Sequence, residues 1–175
     1  MNKIDVSFIT INYNSSDFTI KLVESIILKT IDLSFEIVVV DNSSKKEDFQ
    51  NLYNNLNSIQ QVKIIENRVN SGFASGNMLG VNFASGKYYF FINNDCILLN
   101  NSAKVLKEFL EKNLDVGLAT GKVLDENDNF SSSYKQFPHL IKQLFGNSIQ
   151  RAISKNKFPS NKIKLEKNSE VEVIS

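Results

Sequence analysis

Asp95 follows two amide residues, Asn93 and Asn94, at the end of an apolar stretch, and this arrangement could do chemistry. The five residues before it, 88–92, are all apolar or aromatic, which is typical of a strand buried on both faces. Ligands of open α/β sheets bind beyond the carboxyl ends of the strands. A carboxylate there suits a hard divalent cation that is completed by waters and substrate phosphate oxygens. The alternative is a polar turn in which Asp95 caps the next helix.

Two more polar clusters follow apolar stretches earlier in the chain. Residues 12–14 are Asn-Tyr-Asn, and residues 41–43 are Asp-Asn-Ser. A planar base can be bound at its edge by a carboxylate and on its face by an aromatic ring, and Asp41 and Tyr13 are suitable for these roles. If the preceding stretches are strands of one parallel sheet, all three clusters face one crevice.

The elements that must position these clusters alternate between strand and helix. The apolar patterns predict strands at 4–11, 35–40, 62–65 and 88–92, with helices at 18–28, at 45–56 and after the turn at 70–72. Such a series predicts an α/β fold, a Rossmann-like and mostly parallel sheet flanked by helices. The first strand ends without a GxGxxG fingerprint, which argues against a dinucleotide dehydrogenase.

The third helix carries a small residue at every fourth position, at Gly72, Gly76, Gly80 and Ala84. This spacing places them on one face and lets the helix approach its neighbour closely, and Asn77 lies one position along, toward the crevice. Close packing alone is the alternative explanation for glycines that each cost about 1 kcal/mol in a helix. A diphosphate needs a cation and backbone amides, which Asp95 and the turn at 70–72 can supply. The residues therefore predict a nucleoside-diphosphate site with a metal.

The second half of the chain has weaker patterns. They predict a helix at 103–112 capped by Asn101 and Ser102, a strand at 116–120, a hairpin within 121–134, an amphipathic helical segment at 140–149 and the start of a strand at 170–175. We expect a main domain at 1–135 and a connection at 136–175. Because a domain rarely ends on an unfinished strand, we also expect the chain to be truncated at its C-terminus.

Composition limits the classes of function. The 175 residues suffice for one α/β domain, and the net charge of +1 argues against nucleic-acid binding. Cys96 is the only cysteine, so an internal disulfide is impossible, and we expect it to be a small buried residue. His139 is the only histidine, which leaves little material for a zinc site or a catalytic triad. No apolar run approaches the roughly 18 residues of a membrane span, and we expect a cytoplasmic protein.

Residues 142–167 contain seven basic residues and one acid, Glu166. This segment could contact the anionic inner face of the cell membrane or an acidic partner. The other interpretation is a packed helix followed by a solvated connection.

The successive motifs TINYN, VVVDNSS, NSGFASGN, FINND and VGLATGKVLDEN resemble those of the family 2 inverting glycosyltransferases with a GT-A fold. The NxGFAxGN element is similar to the rhamnosyltransferase-like branch that builds bacterial surface polysaccharides. The resemblance covers residues 3–145 and implies a UDP- or dTDP-sugar donor, Mg²⁺ or Mn²⁺, and transfer with inversion to a glycan or lipid-linked acceptor.

The resemblance also implies roles for particular residues. Asp41 would contact the base or ribose, and Asp95 would bind the metal as part of a DxD-type element. The remaining nucleotide- and donor-binding residues would be Thr10, Asn12, Tyr13, Ser43, Asn70, Gly72, Phe73, Asn77, Asn93 and Asn94.

Two features depart from the family pattern. Asn93 stands where the first acid of the DxD element is expected, and the acceptor-side region that carries the general base should begin where this chain ends. We therefore expect a chain that binds the donor but is inactive or nearly so by itself. The alternative is a nucleotide-binding or interaction module without catalysis. A sugar-phosphate nucleotidyltransferase would be expected to have a glycine-rich, basic loop after the first strand. The sequence INYNSSD at that place lacks such a loop, which argues against this class of enzyme.

Overall fold

A computed structural model describes residues 3–127, 129–131, 134–135 and 173–174. The chain divides into two compact units, residues 1–117 and 118–175, and each is described by itself. The elements of the first unit are β1 (Val6–Asn12), α1 (Ser16–Lys29), β2 (Phe35–Asn42), α2 (Lys46–Leu56), β3 (Val62–Asn67), α3 (Gly72–Phe83), β4 (Tyr88–Phe91) and α4 (Ser102–Lys112).

The four strands of this unit form one parallel sheet in the order β3-β2-β1-β4. In its register Asn12 pairs with Asp41, and Asp41 pairs with Glu66. Because all the strands point the same way, the polar residues that follow them lie at one edge of the sheet. The predicted α/β architecture with a parallel sheet flanked by helices is confirmed.

The sheet buries apolar side chains on both faces because its central strands alternate their residues between two helical layers. One face packs against α1 and α2 and includes Phe8, Leu22, Ile26, Ile37, Val39, Leu52 and Leu56. The other face packs against α3 and includes Ile9, Val38 and Val40 with Leu79 and Val81. Each fully buried side chain of this size stabilises the fold by about 1.5–3 kcal/mol.

The small residues of α3 pack directly on β1 and β2. A Cβ added to Gly76 would lie 2.9 Å from Ile11 Cδ1, and one added to Gly80 would lie 2.6 Å from Ile9 Cγ2. Both distances are shorter than a normal contact. At Gly80 the neighbouring atom is a branch at Cβ of Ile9, so there is no room for a methyl group, whereas at Gly76 the neighbour is the end of the Ile11 side chain, which can move. Close packing, one of the two explanations that the spacing left open, therefore accounts for Gly80.

The prediction that the strand at 88–92 is buried on both faces is wrong. β4 is an edge strand of the described sheet, and its residues alternate between partly buried and exposed. Tyr88 and Phe90 pack against the α1 side of the core, whereas Tyr89 and Phe91 are about half exposed on the opposite face. Tyr89 and Phe91 are exposed because α3 packs on β1 and β2, away from this edge of the sheet.

The strand predicted at 116–120 does not form. The backbone N–H of Val116 instead donates to the carbonyl oxygen of Asn113 at 3.0 Å, which closes a turn after α4. The following residues include Gly117, which weakens strand formation, and no strand among the described residues pairs with them.

The second unit contains the predicted hairpin, whose strands β5 (Val123–Leu124) and β6 (Phe130–Ser131) pair antiparallel. The strand predicted near the end of the chain is also present: β7 (Tyr134–Lys135) pairs antiparallel with β8 (Val173–Ile174). The helix predicted at 140–149 and the basic residues of 142–167 lie outside the described residues. The domain boundary predicted after residue 135 stays a prediction.

Candidate functional site

A crevice of about 260 Å³ opens at the carboxyl edge of the parallel sheet. Its lining comes from the end of β1 and the residues after it, from the first turn of α3, and from the turn after β4: Ile11, Tyr13, Ser15, Phe73, Asn93, Asn94 and Asp95. Five of these residues were predicted from the sequence, and the structure brings those five together. Ile11 and Ser15 were not predicted, because an aliphatic strand residue and a serine carry no functional signal of their own.

The crevice has two aromatic side chains on its walls. The relative exposure of Tyr13 is 51%, and that of Phe73 is 67%. A large aromatic ring normally buries most of its surface, so exposed rings beside a cavity provide faces on which a planar ligand can stack.

The turn that follows β4 is held from two sides. Within it, the Cys96 N–H donates to the Asn93 carbonyl oxygen at 3.2 Å. The Asn94 amide, Nδ2, donates to the hydroxyl oxygens of Ser15 at 2.7 Å and of Thr19 at 3.0 Å. Asn94 therefore anchors the turn to the start of α1, while its neighbour Asp95 stays exposed at the crevice.

Cys96 is half-buried rather than fully buried, and its thiol lies 3.8 Å from Oδ1 of Asp95. Burial raises the pKa of the Cys96 thiol, and the adjacent Asp95 charge raises it further. The thiol therefore stays protonated near neutral pH, which makes it a poor nucleophile.

Asp95 is the one carboxylate among the residues that line the crevice. Within the described residues, no group of three or more His, Cys, Asp or Glu side chains could hold a metal by itself. Mg²⁺ and Mn²⁺ are nevertheless bound in many sites by one or two carboxylates with waters and substrate phosphates. The donor set thus fits a divalent cation that is held jointly with a phosphorylated ligand.

Asn12 and Asp41 lie beneath this edge of the sheet, and both are almost completely buried. Nδ2 of Asn12 donates to Oδ1 of Asp41 and to Oδ2 of Asp48, each at 2.8 Å. The other Asp41 oxygen accepts the Ser44 N–H at 3.0 Å. Asp41 is therefore not among the residues that line the crevice, and its predicted contact with a base or ribose stays a prediction. Thr10 is also buried, inside β1.

Asp48 is a central residue of this region that the sequence did not reveal. It lies in the first turn of α2, yet it accepts hydrogen bonds from the N–H and the hydroxyl of Ser16 at 2.9 and 2.7 Å, and so caps α1. Burial alone would raise the pKa of the Asp48 carboxyl, but the hydrogen bonds from Ser16, Asn12 and Ser44 lower it overall. An acid in a first helical turn is common, so its sequence position gave no hint of this second role.

A cluster of amides holds the turn before α3. Asn42 Nδ2 donates to Oδ1 of Asn70 at 2.9 Å, and Asn42 Oδ1 accepts the Ser71 N–H at 3.2 Å. The Gly72 N–H donates to the same Asn70 oxygen at 3.0 Å, with Gly72 in the left-handed region at φ +80°. Asn70 and Gly72 thus form the turn that leads to Phe73.

The two remaining predicted site residues lie near this turn but not in the crevice lining. Ser43 has a left-handed backbone at φ +69°, and its hydroxyl donates to the Arg68 carbonyl oxygen at 3.3 Å. Asn77 is buried within α3, where its amide donates to the carbonyl oxygen of Phe73 at 3.1 Å. Their predicted roles toward a donor stay predictions.

At the opposite edge of the sheet, a buried acid joins the start of three strands. Glu36 accepts the hydroxyl hydrogen bond of Ser7 at 2.7 Å and forms an ion pair with Lys63 at 2.6 Å. Burial alone would raise the pKa of Glu36, but Lys63, Ser7 and the Ser85 N–H lower it overall. This network fixes the α3–β4 connection and lies away from the crevice.

None of the helices in the described part of the chain has the length and apolar content that crossing a bilayer requires.

Comparison with known sequences gives a family and a relative. The sequence model of glycosyl transferase family 2 matches residues 7–167 of this chain. An uncharacterized glycosyltransferase of Rickettsia bellii is 29% identical over 144 residues, which cover 78% of this chain and 20% of that relative. The chain therefore spans about a fifth of the length of this relative.

Comparison with solved structures gives neighbours of the same architecture. TarS 1-349 of S. aureus, in complex with UDP-GlcNAc, has 24% identity and a TM-score of 0.54 and covers 62% of this chain and 32% of its own. The mannosyltransferase PcManGT from Pyrobaculum calidifontis, in complex with GDP-Man and Mn²⁺, has 18% identity and a TM-score of 0.53 over 61% of this chain and 32% of its own. At these identities the likeness concerns the fold.

Proposed function

The chain belongs to glycosyl transferase family 2, and we propose that it binds a nucleotide-sugar donor in the crevice at the carboxyl edge of its sheet. The donor is a UDP- or dTDP-sugar, and the sugar passes with inversion to a glycan or lipid-linked acceptor. Structural neighbours in complex with UDP-GlcNAc and with GDP-Man support the class of donor.

One observation carries the proposal: two exposed aromatic rings and an exposed carboxylate converge on the same crevice. Tyr13 or Phe73 stacks on the base, which every nucleotide offers as a flat apolar face. Asp95 would face the diphosphate, and backbone amides of the turn at 70–72 would contribute only after local rearrangement, because the Ser71 and Gly72 N–H groups already donate to Asn42 and Asn70. Asp41 lies beneath the crevice with 1% exposure, so its contact with a base or ribose would require local rearrangement.

Asp95 would hold Mg²⁺ or Mn²⁺ together with the two phosphates of the donor. When bound, the cation neutralises the charge that develops on the departing nucleoside diphosphate. The neighbour in complex with Mn²⁺ supports this role. Because Asn93 replaces a second acid, the protein supplies one charged ligand, and the affinity for the metal depends on the nucleotide.

Inverting transfer also defines what the acceptor side must supply. The acceptor hydroxyl oxygen attacks the anomeric carbon from the face opposite the diphosphate, the bond to the diphosphate oxygen breaks, and a base takes the hydroxyl proton. We assign no base among the described residues. A role in bacterial surface polysaccharide synthesis and the rhamnosyltransferase-like branch remain proposals from the sequence motifs.

The test is a calorimetric titration of the chain with UDP and with dTDP, with and without Mn²⁺, on the wild type and Asp95→Asn. Binding is expected to require Mn²⁺ and to weaken at least about tenfold in Asp95→Asn, because the variant keeps the shape but loses the charged ligand. Asp115→Asn is the matched control, since Asp115 is an exposed acid outside the crevice, and it should bind like the wild type.

Equal binding by Asp95→Asn would contradict the proposed metal role of Asp95, while the proposed nucleotide binding would stand. No binding of either nucleotide by the wild type would favour the alternative, an interaction module that does no chemistry. The replacement of the first DxD acid by Asn93 is the observation that keeps this alternative open.

A further inference from the structure

We propose that Thr19, a buried residue of α1, is a positioning residue that couples the two ends of the donor site. This inference rests on the proposed function, because it concerns the same crevice. The two ends are the carboxylate of Asp41 under the sheet edge and the turn at 93–96 that carries Asp95. Thr19 is absent from the crevice lining, so any effect on a ligand must pass through other side chains.

An unbroken chain of hydrogen bonds joins the two ends through Thr19. The amide of Asn94 donates to Oγ1 of Thr19 at 3.0 Å, and that hydroxyl donates to Oδ1 of Asn12 at 2.8 Å. The amide of Asn12 in turn donates to Oδ1 of Asp41 at 2.8 Å. These bonds run from the polar cluster at 93–95 through Thr19 of α1 and the cluster at 12–14 to the cluster at 41–43.

The orientation of the Asn12 amide follows from its neighbours. Its NH₂ group faces the carboxylates of Asp41 and Asp48, and the opposite orientation would place the amide oxygen against both of them. The Asn12 oxygen therefore points toward α1, where the Thr19 hydroxyl donates to it at 2.8 Å; the other acceptor in reach of that hydroxyl, the Ser15 carbonyl oxygen, is farther away at 3.4 Å. The two carboxylates thus set the orientation of Asn12, and Thr19 holds its oxygen in place.

Burial makes the coupling strong. Thr19 and Asn12 have no solvent exposure, and Asp41 is 1% exposed, so water cannot replace a lost partner without rearrangement. The Thr19 hydroxyl also lies 3.4 Å from the Ser15 carbonyl oxygen, a longer contact in the same turn of α1. Without the hydroxyl, the Asn12 oxygen has no side-chain partner among the described residues, and the Asn94 amide keeps its hydrogen bond to Ser15.

The experiment compares Thr19→Val, which removes the hydroxyl at constant shape, with Thr19→Ser, which keeps it. Thr30→Val is the matched control, because Thr30 is buried at the end of the same helix and its hydroxyl has no hydrogen-bond partner among the described residues. Backbone hydrogen–deuterium exchange is measured on the ligand-free 175-residue chain, and UDP affinity is measured calorimetrically in Mn²⁺.

Thr19→Val is expected to exchange faster in both segments, 41–44 and 93–96, and to bind UDP about tenfold more weakly, the effect of one lost buried hydrogen bond. Thr19→Ser and Thr30→Val should match the wild type in both segments and in affinity within about twofold. A general loss of stability would instead speed exchange throughout the sheet, so β3 serves as an internal reference.

Wild-type exchange in either segment of Thr19→Val, or an unchanged affinity for UDP, would overturn the coupling. If Thr19→Val does not fold, the pair Thr19→Ala and Thr19→Ser decides in the same way, and equal behaviour of the two excludes a role for the hydroxyl. If the wild type binds no nucleotide, the proposed function fails, whereas the exchange of the two segments still supports or overturns the coupling.

Discussion

Asp48 shows how a single side chain can hold several parts of the crevice edge. Its carboxylate accepts hydrogen bonds from the backbone and hydroxyl of Ser16 and from the amide of Asn12. It therefore ties the first turn of α2 to the start of α1 and to the end of β1. These bonds lower the pKa of Asp48 against the opposing effect of burial.

This pKa shift predicts how stability depends on pH. The pKa of Asp48 is lower in the folded chain than its ordinary value of 3.8, so the unfolded state binds more protons in that range. The stabilisation from Asp48 is therefore complete above the ordinary value and is lost as pH falls through the lower folded pKa. Asp48→Asn should reduce the free energy of unfolding by about 1–3 kcal/mol at pH 7, with a smaller difference from wild type below about pH 3.8.

Urea denaturation at a series of pH values measures this difference directly. Glu36 also has a lowered pKa, but it is present in both proteins and cancels in the comparison. Glu47→Gln, an exposed neighbour in the same helical turn, is the control that should stay within about 0.5 kcal/mol of wild type. A constant difference between wild type and Asp48→Asn down to acid pH would contradict the assignment.

At this scale, residue types at strand ends predicted that Tyr13 and the turn at 93–95 share one crevice, as they do, whereas Phe73 came only from the family resemblance. Thr19 and Asp48 were not found, because their roles arise from contacts between elements far apart in sequence, as in the Asn12–Asp48 bond. Strand alternation also mattered: Asp41 and Asn42 are consecutive, yet Asp41 bonds to Asn12 and Asn42 bonds to the turn before α3. In the sequence motif VVVDNSS both are polar residues at a strand end, so the motif does not show that they contact different elements.

Among the elements, α3 is the one whose close packing on the sheet was predicted most directly from the sequence. Its glycines recur with the helical period, and the structure shows why: Gly80 sits over Ile9 and Val40 with no space for a methyl group. The close approach brings the first turn of α3, and with it Phe73, to the crevice. The packing of α3 on the sheet therefore also determines where Phe73 lies in the crevice.

Gly80→Ala tests this packing. The added Cβ would lie 2.6 Å from Ile9 Cγ2 and 3.3 Å from Val40 Cγ2, so α3 must shift or the strand residues must move. Overpacking of this kind costs about 1–3 kcal/mol, and the better helix propensity of alanine returns about 1 kcal/mol. We expect a net loss of up to about 2 kcal/mol in the free energy of unfolding and faster exchange at the turn before α3.

Ser75→Ala, at an exposed position of the same helix, is the control for propensity alone, and its stability should equal or slightly exceed that of wild type. If Gly80→Ala were as stable as this control, the close approach of α3 to the sheet would not be what requires glycine.

The two errors at the scale of elements have a common cause. The apolar stretch at 88–92 and the short stretch at 116–120 both look like buried strands in sequence. β4 is instead an edge strand of the described sheet, with Tyr89 and Phe91 half exposed, and 116–120 has no strand partner there. Local patterns show that a segment favours extended structure, but the partners are set by tertiary structure.

For the whole molecule, the order of strands and helices was sufficient to predict that the polar strand ends meet at one edge of the sheet. A βαβ series leads to a parallel sheet, and parallel strands bring their carboxyl ends to one edge. Tyr13, Phe73 and Asp95 are far apart in sequence but line one crevice for this reason. The order β3-β2-β1-β4 and the buried network under the crevice could not be predicted, since many packings satisfy the same pattern.

Because the crevice exists only in the folded sheet, a ligand bound there stabilises the whole unit. UDP in constant Mn²⁺ should raise the free energy of unfolding by RT ln(1 + [L]/Kd), about 2.7 kcal/mol at one hundred times Kd. Uridine offers the same base to Tyr13 and Phe73 but has no phosphates for a cation at Asp95. At equal concentration it should stabilise far less, and its effect should not depend on Mn²⁺.

Urea denaturation across a range of UDP and uridine concentrations, with Mn²⁺ and with EDTA, separates the two halves of the site. A steep dependence on UDP that disappears with EDTA assigns most of the affinity to the diphosphate and the cation. Equal stabilisation by uridine would assign it to the aromatic rings, and the metal role of Asp95 would then be wrong. The two outcomes differ because, in the proposed complex, the base and the diphosphate contact different groups of the same crevice.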